Sequence, residues 1–203
     1  MRPPLPLTLG QLDAPFDDPE WIYEVKYDGL RALAILERGR CRFFSRDRNP
    51  LIGLAELAKT LVSEIKADQA ILDGELAVTD AMGRSVFASI MGDRQRARYC
   101  AFDLLWLNGE DMRGRPLLER KSQLKRILPA DSTSLLYVDH VVKTGTQLFQ
   151  AALDLDLEGI VAKRADSPYA WGAGRPPWIT IDNRCYSQGH HELFDRSDFP
   201  SAS

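Results

Sequence analysis

The chain has 203 residues, of which 44% are apolar and 27% are charged, and a formal net charge of -3. It can bury one sizeable core but is too short for two full domains. The slightly acidic balance excludes a protein that coats nucleic acid through overall basicity, although it is compatible with a local basic face.

The composition also points to a cellular compartment. No apolar stretch comes near the ~18–20 residues that a helix needs to cross a bilayer, and Pro3, Pro4 and Pro6 interrupt the apolar core that a signal peptide would need. The three cysteines are odd in number and far apart, which fits neither a disulfide framework nor a zinc site. We therefore expect reduced, mostly buried thiols in a cytoplasmic protein without membrane partners.

Short apolar runs typical of strands alternate along the chain with segments of helical periodicity. The predicted strands are, in chain order, Trp21–Lys26, Arg31–Leu36, Arg42–Phe44, Ile71–Val78, Tyr99–Leu107, Leu135–Val141 and Gly159–Ala162. The predicted helices are Leu54–Ile65, Leu117–Leu128 and, from a weaker pattern, Thr146–Leu157. Asn108-Gly109 predicts a tight hairpin turn. Hairpins mixed with separated helices favour an α+β fold over a doubly wound parallel sheet.

Two groups of basic residues could form a nucleic-acid surface. The first contains Arg94, Arg96 and Arg98, and the second contains Arg113, Arg115, Arg120, Lys121, Lys125 and Arg126. For each group taken alone, an ordinary solvated face is the preferred interpretation.

The segment Glu24-Val25-Lys26-Tyr27-Asp28-Gly29-Leu30-Arg31 carries the first candidate chemistry. A lysine at the end of an apolar strand and before a glycine turn can be held against a phosphate, and its amine becomes a nucleophile once deprotonated. Taken alone, the segment is more typical of a surface lysine before a hairpin.

Two further segments carry single candidate residues. In Ile71-Leu72-Asp73-Gly74-Glu75-Leu76, Glu75 could accept hydrogen bonds from a ribose, or it could lie on the exposed side of an Asp-Gly bulge. In Tyr99-Cys100-Ala101-Phe102-Asp103-Leu104-Leu105, Phe102 could stack on a purine, although an isolated phenylalanine is more often a core residue.

The segment Glu158-Gly159-Ile160-Val161-Ala162-Lys163-Arg164 combines a carboxylate suited to a metal with an amine suited to a phosphate. In a regular strand Glu158 and Lys163 would lie on opposite faces, because they are an odd number of positions apart. A bend or bulge is needed if both line one pocket. An ordinary charge pair on an edge strand is the alternative.

Taken together, the order and spacing of these segments resemble the covalent nucleotidyltransferases, and most closely the ATP-dependent DNA ligases of the bacterial end-joining type. The matching motifs are Lys26-Tyr27-Asp28-Gly29-Leu30-Arg31 (motif I), Phe44-Ser45-Arg46 (motif Ia), Asp73-Gly74-Glu75 (motif III), Phe102-Asp103-Leu104-Leu105-Trp106 (motif IIIa) and Glu158-Gly159-Ile160-Val161-Ala162-Lys163 (motif IV). Leu117-Leu118-Glu119-Arg120-Lys121 and Asp166-Ser167-Pro168-Tyr169 also look like that family. Five motifs in register are far more specific than any one of them.

The resemblance implies an ATP-grasp-like adenylation domain of two mainly antiparallel sheets with packed helices, over residues 1–194, with 195–203 as a flexible tail. Lys26 would attack the α-phosphate of ATP and carry the AMP to a DNA 5′-phosphate. The other implied roles are Glu24 beside the adenine, Phe102 stacked on it, Glu75 on the ribose, Arg31 and Arg46 on phosphate or sugar, Lys163 on phosphate, and Glu158 on Mg²⁺.

The sequence departs from the family at motif V, where two lysines are expected to alternate after a tryptophan. The segment reads Trp178-Ile179-Thr180-Ile181-Asp182-Asn183, so Thr180 and Asp182 stand in the lysine positions. This changes the charge beside an anionic triphosphate by three units, and Asp182 would favour the protonated form of Lys26. A second Mg²⁺ held by Asp182 could compensate. A smaller departure is Arg48, in a turn that usually carries glycine.

Only about twenty residues follow Asp182, too few for the OB-fold domain with which most such ligases continue. We therefore expect no OB-fold domain in this chain. A lineage that works without one, a separate OB-type subunit, and a degenerate relative are the alternatives.

Three functions stay open at this point. The first is an ATP-dependent ligase that seals nicked or broken double-stranded DNA at the bacterial nucleoid, with an end-binding repair protein or an OB-type subunit as its partner. The second is a catalytically impaired module that binds nucleotide or DNA ends. The third is an RNA ligase or capping-type guanylyltransferase, against which the motif IIIa match argues.

Overall fold

The computed structural model describes residues 1–80, 84–85, 94–169 and 176–188, so the predicted tail at 195–203 lies outside the described residues. The strands are β1 (Gly10–Leu12), β2 (Trp21–Val25), β3 (Leu30–Glu37), β4 (Arg40–Ser45), β5 (Pro50–Leu51), β6 (Ala70–Ala77), β7 (Arg98–Leu107), β8 (Glu110–Asp111), β9 (Leu135–Tyr137), β10 (Val141–Val142), β11 (Gly159–Arg164) and β12 (Trp178–Asp182). The α-helices are α1 (Ala55–Glu64), α2 (Leu117–Ile127) and α3 (Gly145–Asp154).

These strands form two mainly antiparallel sheets, which confirms the predicted α+β class. The smaller sheet has five strands in the order β1-β12-β11-β2-β10, and only the edge pair β1–β12 is parallel. The larger sheet has the order β5-β4-β3-β6-β7-β8, with β9 added in parallel to β7. Among the described helices, none combines the length and the apolar character needed to span a bilayer.

Three of the four apolar clusters in the described part of the chain hold the layers together. The first lies on the outer side of the larger sheet, where α1 and α2 pack through residues such as Leu61 and Leu124. The second lies between the sheets and joins Ile22 and Trp178 of the smaller sheet to Leu33 of the larger one. The third packs α3 on the outer side of the smaller sheet. The region between the two sheets, here called the groove, is therefore apolar at the second cluster.

Most of the predicted elements are present, with shifted ends. Asn108 and Gly109 have φ angles of 45° and 97° and join β7 to β8, so the predicted hairpin turn is confirmed. The predicted helix Thr146–Leu157 ends earlier than expected, and Asp156 beyond it has a φ of 51°. The short strands β1, β5 and β8 were not predicted because two or three residues carry no alternating pattern.

The predicted strand Leu135–Val141 is wrong as a single element. Its first half is β9, which pairs with β7 of the larger sheet, and its last residue begins β10, which pairs with β2 of the smaller sheet. The chain passes from one sheet to the other between Tyr137 and Val141. The continuous apolar run gave no sign that the chain changes from one sheet to the other within it.

The solvated-face interpretation of the second basic group is correct for Arg113 and Arg115 but wrong for Arg120 and Lys121, which are buried. Both lie on the inward side of α2, one turn after the buried Leu117. The Arg120 guanidinium donates to both carboxylate oxygens of Asp103, at 2.8 and 2.7 Å. Burial raises the pKa of Asp103 although Arg120 opposes this effect.

Arg120→Met should destabilise the fold, because it leaves the Asp103 carboxylate buried without its partner. Removing one member of a buried ion pair typically costs about 3–5 kcal/mol. The free energy of unfolding from urea titration measures the effect. Arg115→Met is the matched control, because Arg115 is exposed and pairs with Glu110 at the surface. Equal unfolding midpoints for the two variants would contradict the structural role of Arg120.

Candidate active site

The Lys26 amine lies directly after β2, on the side of the smaller sheet that faces the larger one. Ile22, Glu24 and Lys26 alternate on this side, and Ile22 belongs to the cluster between the sheets. The Lys26 side chain is about one-fifth exposed, at 22%. A partly accessible amine at the end of a buried strand is a position that a bound nucleotide could reach.

Two carboxylates hold this amine. Lys26 Nζ lies 2.6 Å from Asp182 Oδ1 and 2.8 Å from Glu158 Oε1. The other oxygen of Asp182 accepts a hydrogen bond from Gln11 Nε2 at 2.8 Å. Asp182 is therefore fixed between β1 and Lys26, and both acidic groups restrict where the amine can point.

The same contacts set the protonation of the pair. Burial by itself would lower the pKa of Lys26, but Glu158 and Asp182 outweigh it and raise that pKa above its usual value. Burial raises the pKa of the Glu158 carboxyl, and neighbouring Asp28 and Asp182 add to this effect against the opposing influence of Lys26. The direction for Lys26 agrees with the expectation drawn from Asp182 in the sequence.

Glu158 reaches Lys26 because the backbone turns sharply at Gly159. Gly159 has a φ of 142°, and a Cβ there would lie 2.2 Å from the Ile181 carbonyl oxygen. This conformation is open to glycine and strained for other residues. The predicted bend between Glu158 and Lys163 is thus present, and both side chains contact residues on the same side of β2.

Glu24 is buried and bridges two lysines. Its Oε2 accepts from Lys163 Nζ at 2.5 Å, and its Oε1 accepts from Lys121 Nζ. Lys121 also donates to the Val138 carbonyl oxygen at 2.9 Å. A carboxylate with an ammonium on each oxygen is strongly fixed, so Glu24 also fixes the orientation of Lys163.

The Lys163 ammonium lies between two aromatic rings. Its Nζ is 4.2 Å from the centre of the Phe102 ring and 4.1 Å from that of Trp178. The two rings meet edge to face, with centroids 5.8 Å apart. Burial lowers the pKa of Lys163 to about 8, Lys121 acts in the same direction, and Glu24 opposes them.

Arg31 is held by a separate buried acid. Its Nε and Nη2 donate to Asp73 at 3.2 and 2.7 Å, and its Nη1 donates to the Leu7 carbonyl oxygen at 2.7 Å. The Tyr169 hydroxyl donates to the same carboxylate at 2.6 Å. Arg31 thus faces the Phe102 ring, 5.7 Å from its centre, with three of its five N–H groups engaged.

The remaining predicted site residues lie on the larger sheet. Glu75 is half-buried on β6, directly opposite Arg31 of β3. Arg46 is exposed in the turn after β4, and Arg48 in that turn has a φ of 65°, which explains why glycine would suit the position. Arg46 makes no contact with the Lys26 group that the described hydrogen bonds or ion pairs record.

Sequence reasoning assigned no role to several residues that build this site. Lys121 and Tyr169 were part of recognised segments, and Asp73 was part of motif III, but nothing in their local pattern showed their partners. Gln11 carried no signal at all. Three of their contacts, Lys121–Glu24, Tyr169–Asp73 and Gln11–Asp182, join positions 97, 96 and 171 residues apart, and Arg31–Asp73 joins positions 42 apart.

Comparison with known proteins identifies the family. A family model described as the ATP dependent DNA ligase domain matches residues 12–181. The chain is 28% identical to the SPbeta prophage-derived DNA ligase-like protein LigB of Bacillus subtilis, over 90% of this chain and 68% of LigB. It is 33% identical to the multifunctional non-homologous end joining protein LigD of Pseudomonas aeruginosa, over 74% of this chain and 19% of LigD.

A solved structure agrees with these relatives. The structure described as mycobacterial DNA ligase D complexed with ATP and MES has a TM-score of 0.72 and 29% identity, over 89% of this chain and 60% of that chain. The chain thus spans about a fifth of the LigD sequence it matches and less than two thirds of that solved ligase chain. From its sequence match and its fold, the chain belongs to the ATP-dependent DNA ligase family.

Proposed function

We propose that this ligase domain attaches AMP from ATP to the Lys26 amine and passes it to the 5′-phosphate of nicked or broken double-stranded DNA. The observation that carries this proposal is the position of Lys26, partly exposed after β2, within 2.8 Å of Glu158 and beside a groove that contains Phe102. The complex of ligase D with ATP supports ATP as the nucleotide.

The base-binding part of the groove would be built around Phe102. Its ring is half-buried and is held edge to face by the buried Trp178, so the exposed part of the ring would stack on adenine with little loss of side-chain entropy. Glu24 lies beneath with both oxygens paired, and its remaining lone pairs can accept from an exocyclic amine. Glu75 would accept hydrogen bonds from the ribose.

The phosphate-binding part would use Arg31, Lys163 and Arg46. Arg31 keeps two of its five N–H donors beyond those that Asp73 and Leu7 use. Lys163 and Arg46 are the further cations that we assign to phosphate or sugar. In phosphoryl transfer a protein mainly positions groups and stabilises charge, so such cations are suitable tools.

A Mg²⁺ site at this position would need only one or two carboxylates, because substrate phosphates supply the other ligands. Glu158 and Asp182 meet this requirement, since both converge on Lys26 Nζ, although the described residues contain no group of three or more metal-binding side chains. A Mg²⁺ ion there would neutralise phosphate charge. When it binds, it would also compete with Lys26 for the two carboxylates.

The reaction would then proceed in three transfers. Lys26 Nζ attacks the α-phosphorus of ATP, and pyrophosphate leaves. An oxygen of the DNA 5′-phosphate then attacks the phosphorus of the lysyl-AMP, and the amine leaves. Finally the 3′-hydroxyl attacks the 5′-phosphate and AMP leaves. The end-joining names of the LigD relatives support broken DNA ends as the substrate. A location at the bacterial nucleoid and an end-binding protein or an OB-type subunit as the partner are further parts of this proposal.

One observation favours a second candidate, a module that binds nucleotide or DNA ends with slow chemistry. Asp182 lies 2.6 Å from the nucleophile and helps to raise the pKa of Lys26. An ammonium is not nucleophilic, so the first transfer requires Lys26 to lose its proton, and the two carboxylates oppose that loss. The rate of that first transfer decides between the two candidates.

Lys26→Arg should abolish covalent AMP attachment, because the guanidinium cannot act as the nucleophile. Intact-mass spectrometry after incubation with ATP and Mg²⁺ should show one added AMP in the wild type and none in the variant. Lys66→Arg, at an exposed position on the outer side of the larger sheet, is the control. An adduct in Lys26→Arg, or one mapped to Lys163, would show that the nucleophile is misassigned.

Asp182→Asn should move the pH profile of lysine adenylylation to lower pH. Asp182 helps to raise the pKa of Lys26, so its neutral replacement lowers that pKa and increases the deprotonated fraction near neutral pH. The rate below the pKa should rise about tenfold for each unit by which the pKa falls. The profile is obtained from single-turnover rates of AMP attachment, measured with labelled ATP over a range of pH. Coincident profiles for the variant and the wild type would disprove the coupling.

Phe102→Leu should weaken ATP binding by about 1–3 kcal/mol, because aliphatic carbon replaces a stacking ring. Isothermal calorimetry measures the affinity, and circular dichroism verifies the fold. Phe43→Leu is the matched control, because Phe43 is buried in the cluster on the outer side of the larger sheet and should change stability without changing affinity. Unchanged ATP affinity in folded Phe102→Leu would show that Phe102 is a core residue that does not stack on the base.

A further inference from the structure

The chain passes from the larger sheet to the smaller one through the short segment 138–140, which lies beside the proposed base-binding part of the groove. The Val138 N–H donates to the Ala101 carbonyl oxygen at 2.9 Å, directly before Phe102. The Val138 carbonyl oxygen accepts from Lys121 Nζ at 2.9 Å, and the Phe102 carbonyl oxygen lies 3.5 Å from the same amine. The start of the segment is therefore anchored next to the ring that we assign to base stacking.

His140, at the end of this segment, lies on the same side of the smaller sheet as Glu24. Val141 is the antiparallel partner of Tyr23, so His140 lies opposite Glu24 when this register is continued by one residue. Opposite residues of an antiparallel pair project to the same face. The electrostatic influence of both Glu24 and Lys121 on His140 agrees with this position. The imidazole therefore lies beside the carboxylate that we assign to the adenine.

The imidazole ring has one buried nitrogen and a partly accessible edge. Its Nδ1 is buried and has no hydrogen-bond partner in the part of the chain that the structure describes. An oxygen of the Asp139 carboxylate lies 3.7 Å from this nitrogen, beyond hydrogen-bond range. The His140 side chain is 19% exposed, and this accessible surface belongs to atoms other than Nδ1. Such a ring can still form a hydrogen bond with a ligand at its accessible edge.

The surroundings of His140 also set its protonation. Burial lowers the pKa of His140, Lys121 acts in the same direction, and Glu24 opposes them, so the ring is neutral near neutral pH. A neutral imidazole has one N–H donor and one acceptor nitrogen. The Asp139 carboxylate favours the N–H on Nδ1, because that group directs its positive end toward the negative charge. The acceptor is then Nε2.

On the basis of the proposed ligase function, we propose that His140 recognises the base, with Nε2 accepting one hydrogen of the exocyclic amine of adenine while Glu24 accepts the other. This amine has two hydrogens, so adenine can satisfy both acceptors at once. Guanine and hypoxanthine have a carbonyl oxygen in place of the amine, and its lone pairs would face two acceptors. His140 thereby helps the groove to select ATP over purine nucleotides that lack the amine.

The test compares the binding of ATP with that of inosine triphosphate, whose base has a carbonyl oxygen where adenine has the amine. Dissociation constants are measured by isothermal calorimetry for the wild type, His140→Leu and His140→Gln. The buffer contains EDTA, so that no AMP transfer follows binding. Circular dichroism verifies the fold of each variant. If the leucine variant does not fold, His140→Gln decides alone.

In the wild type, ATP should bind about tenfold or more tightly than inosine triphosphate, because a mismatched polar group leaves buried acceptors unpaired. This ratio should fall about fivefold or more in His140→Leu, which has no acceptor. It should also fall in His140→Gln, whose amide can accept from an amine or donate to a carbonyl oxygen. Gln150→Leu, at an exposed position of α3, is the control and should keep the wild-type ratio.

A wild type that binds the two nucleotides equally overturns the role of His140. The same holds if folded His140→Leu and His140→Gln keep the wild-type ratio, because a histidine that only supports the segment 138–140 would change both affinities together. Intact-mass spectrometry with ATP and Mg²⁺ tests the proposed ligase function separately. A wild type that forms lysyl-AMP but fails the comparison of nucleotides loses only the role of His140. A folded wild type that neither binds ATP nor forms lysyl-AMP refutes both.

Discussion

The architecture of the groove depends on the rule that a charge taken out of water needs a partner. Glu24, in the middle of a buried strand, would be costly to bury alone, and it is satisfied by Lys121 from α2 and Lys163 from β11. Arg31 and Asp73 meet the same requirement between β3 and β6. Each pair joins separate elements, so the charges that form the groove also fix the elements that carry them. The chemistry and the packing cannot be altered independently.

This rule also explains which features the sequence could predict. The apolar periodicity of β2, β6, β7 and α1 comes from neighbouring residues, so it located these elements to within a few positions. The need for a bend, if Glu158 and Lys163 line one pocket, was predictable too, because residues an odd number of positions apart cannot share one face of a regular strand, but its place at Gly159 was not. Partners of buried charges were not predictable. Lys163 and Glu24 are 139 residues apart, and only the completed sheet brings them together.

Asp182 shows what the sequence could predict about the site and what it could not. Its departure from the family pattern is visible in the sequence, and its effect on the protonation of Lys26 follows from elementary electrostatics. The structure adds that Asp182 contacts Lys26 directly, and that Gln11 from β1 holds its second oxygen. Asp182 is therefore more than a missing cation, because its two carboxylate oxygens contact Lys26 and Gln11. The neighbouring Thr180 hydroxyl donates a long hydrogen bond, at 3.3 Å, to the Gly10 carbonyl oxygen.

The parallel pairing of β1 with β12 has a consequence for how the protein is made. Gly10–Leu12 pair with positions 179–181, and β2 pairs with β11 across a comparably long stretch of chain. Contacts between such distant segments form slowly, because the chain loses the entropy of closing a large loop before the contacts can stabilise it. During synthesis, β2 and the Lys26 that follows it leave the ribosome long before their partners exist. The nascent chain must therefore keep the apolar β2 unpaired at least until β10 has emerged, a period in which binding by a chaperone would protect it.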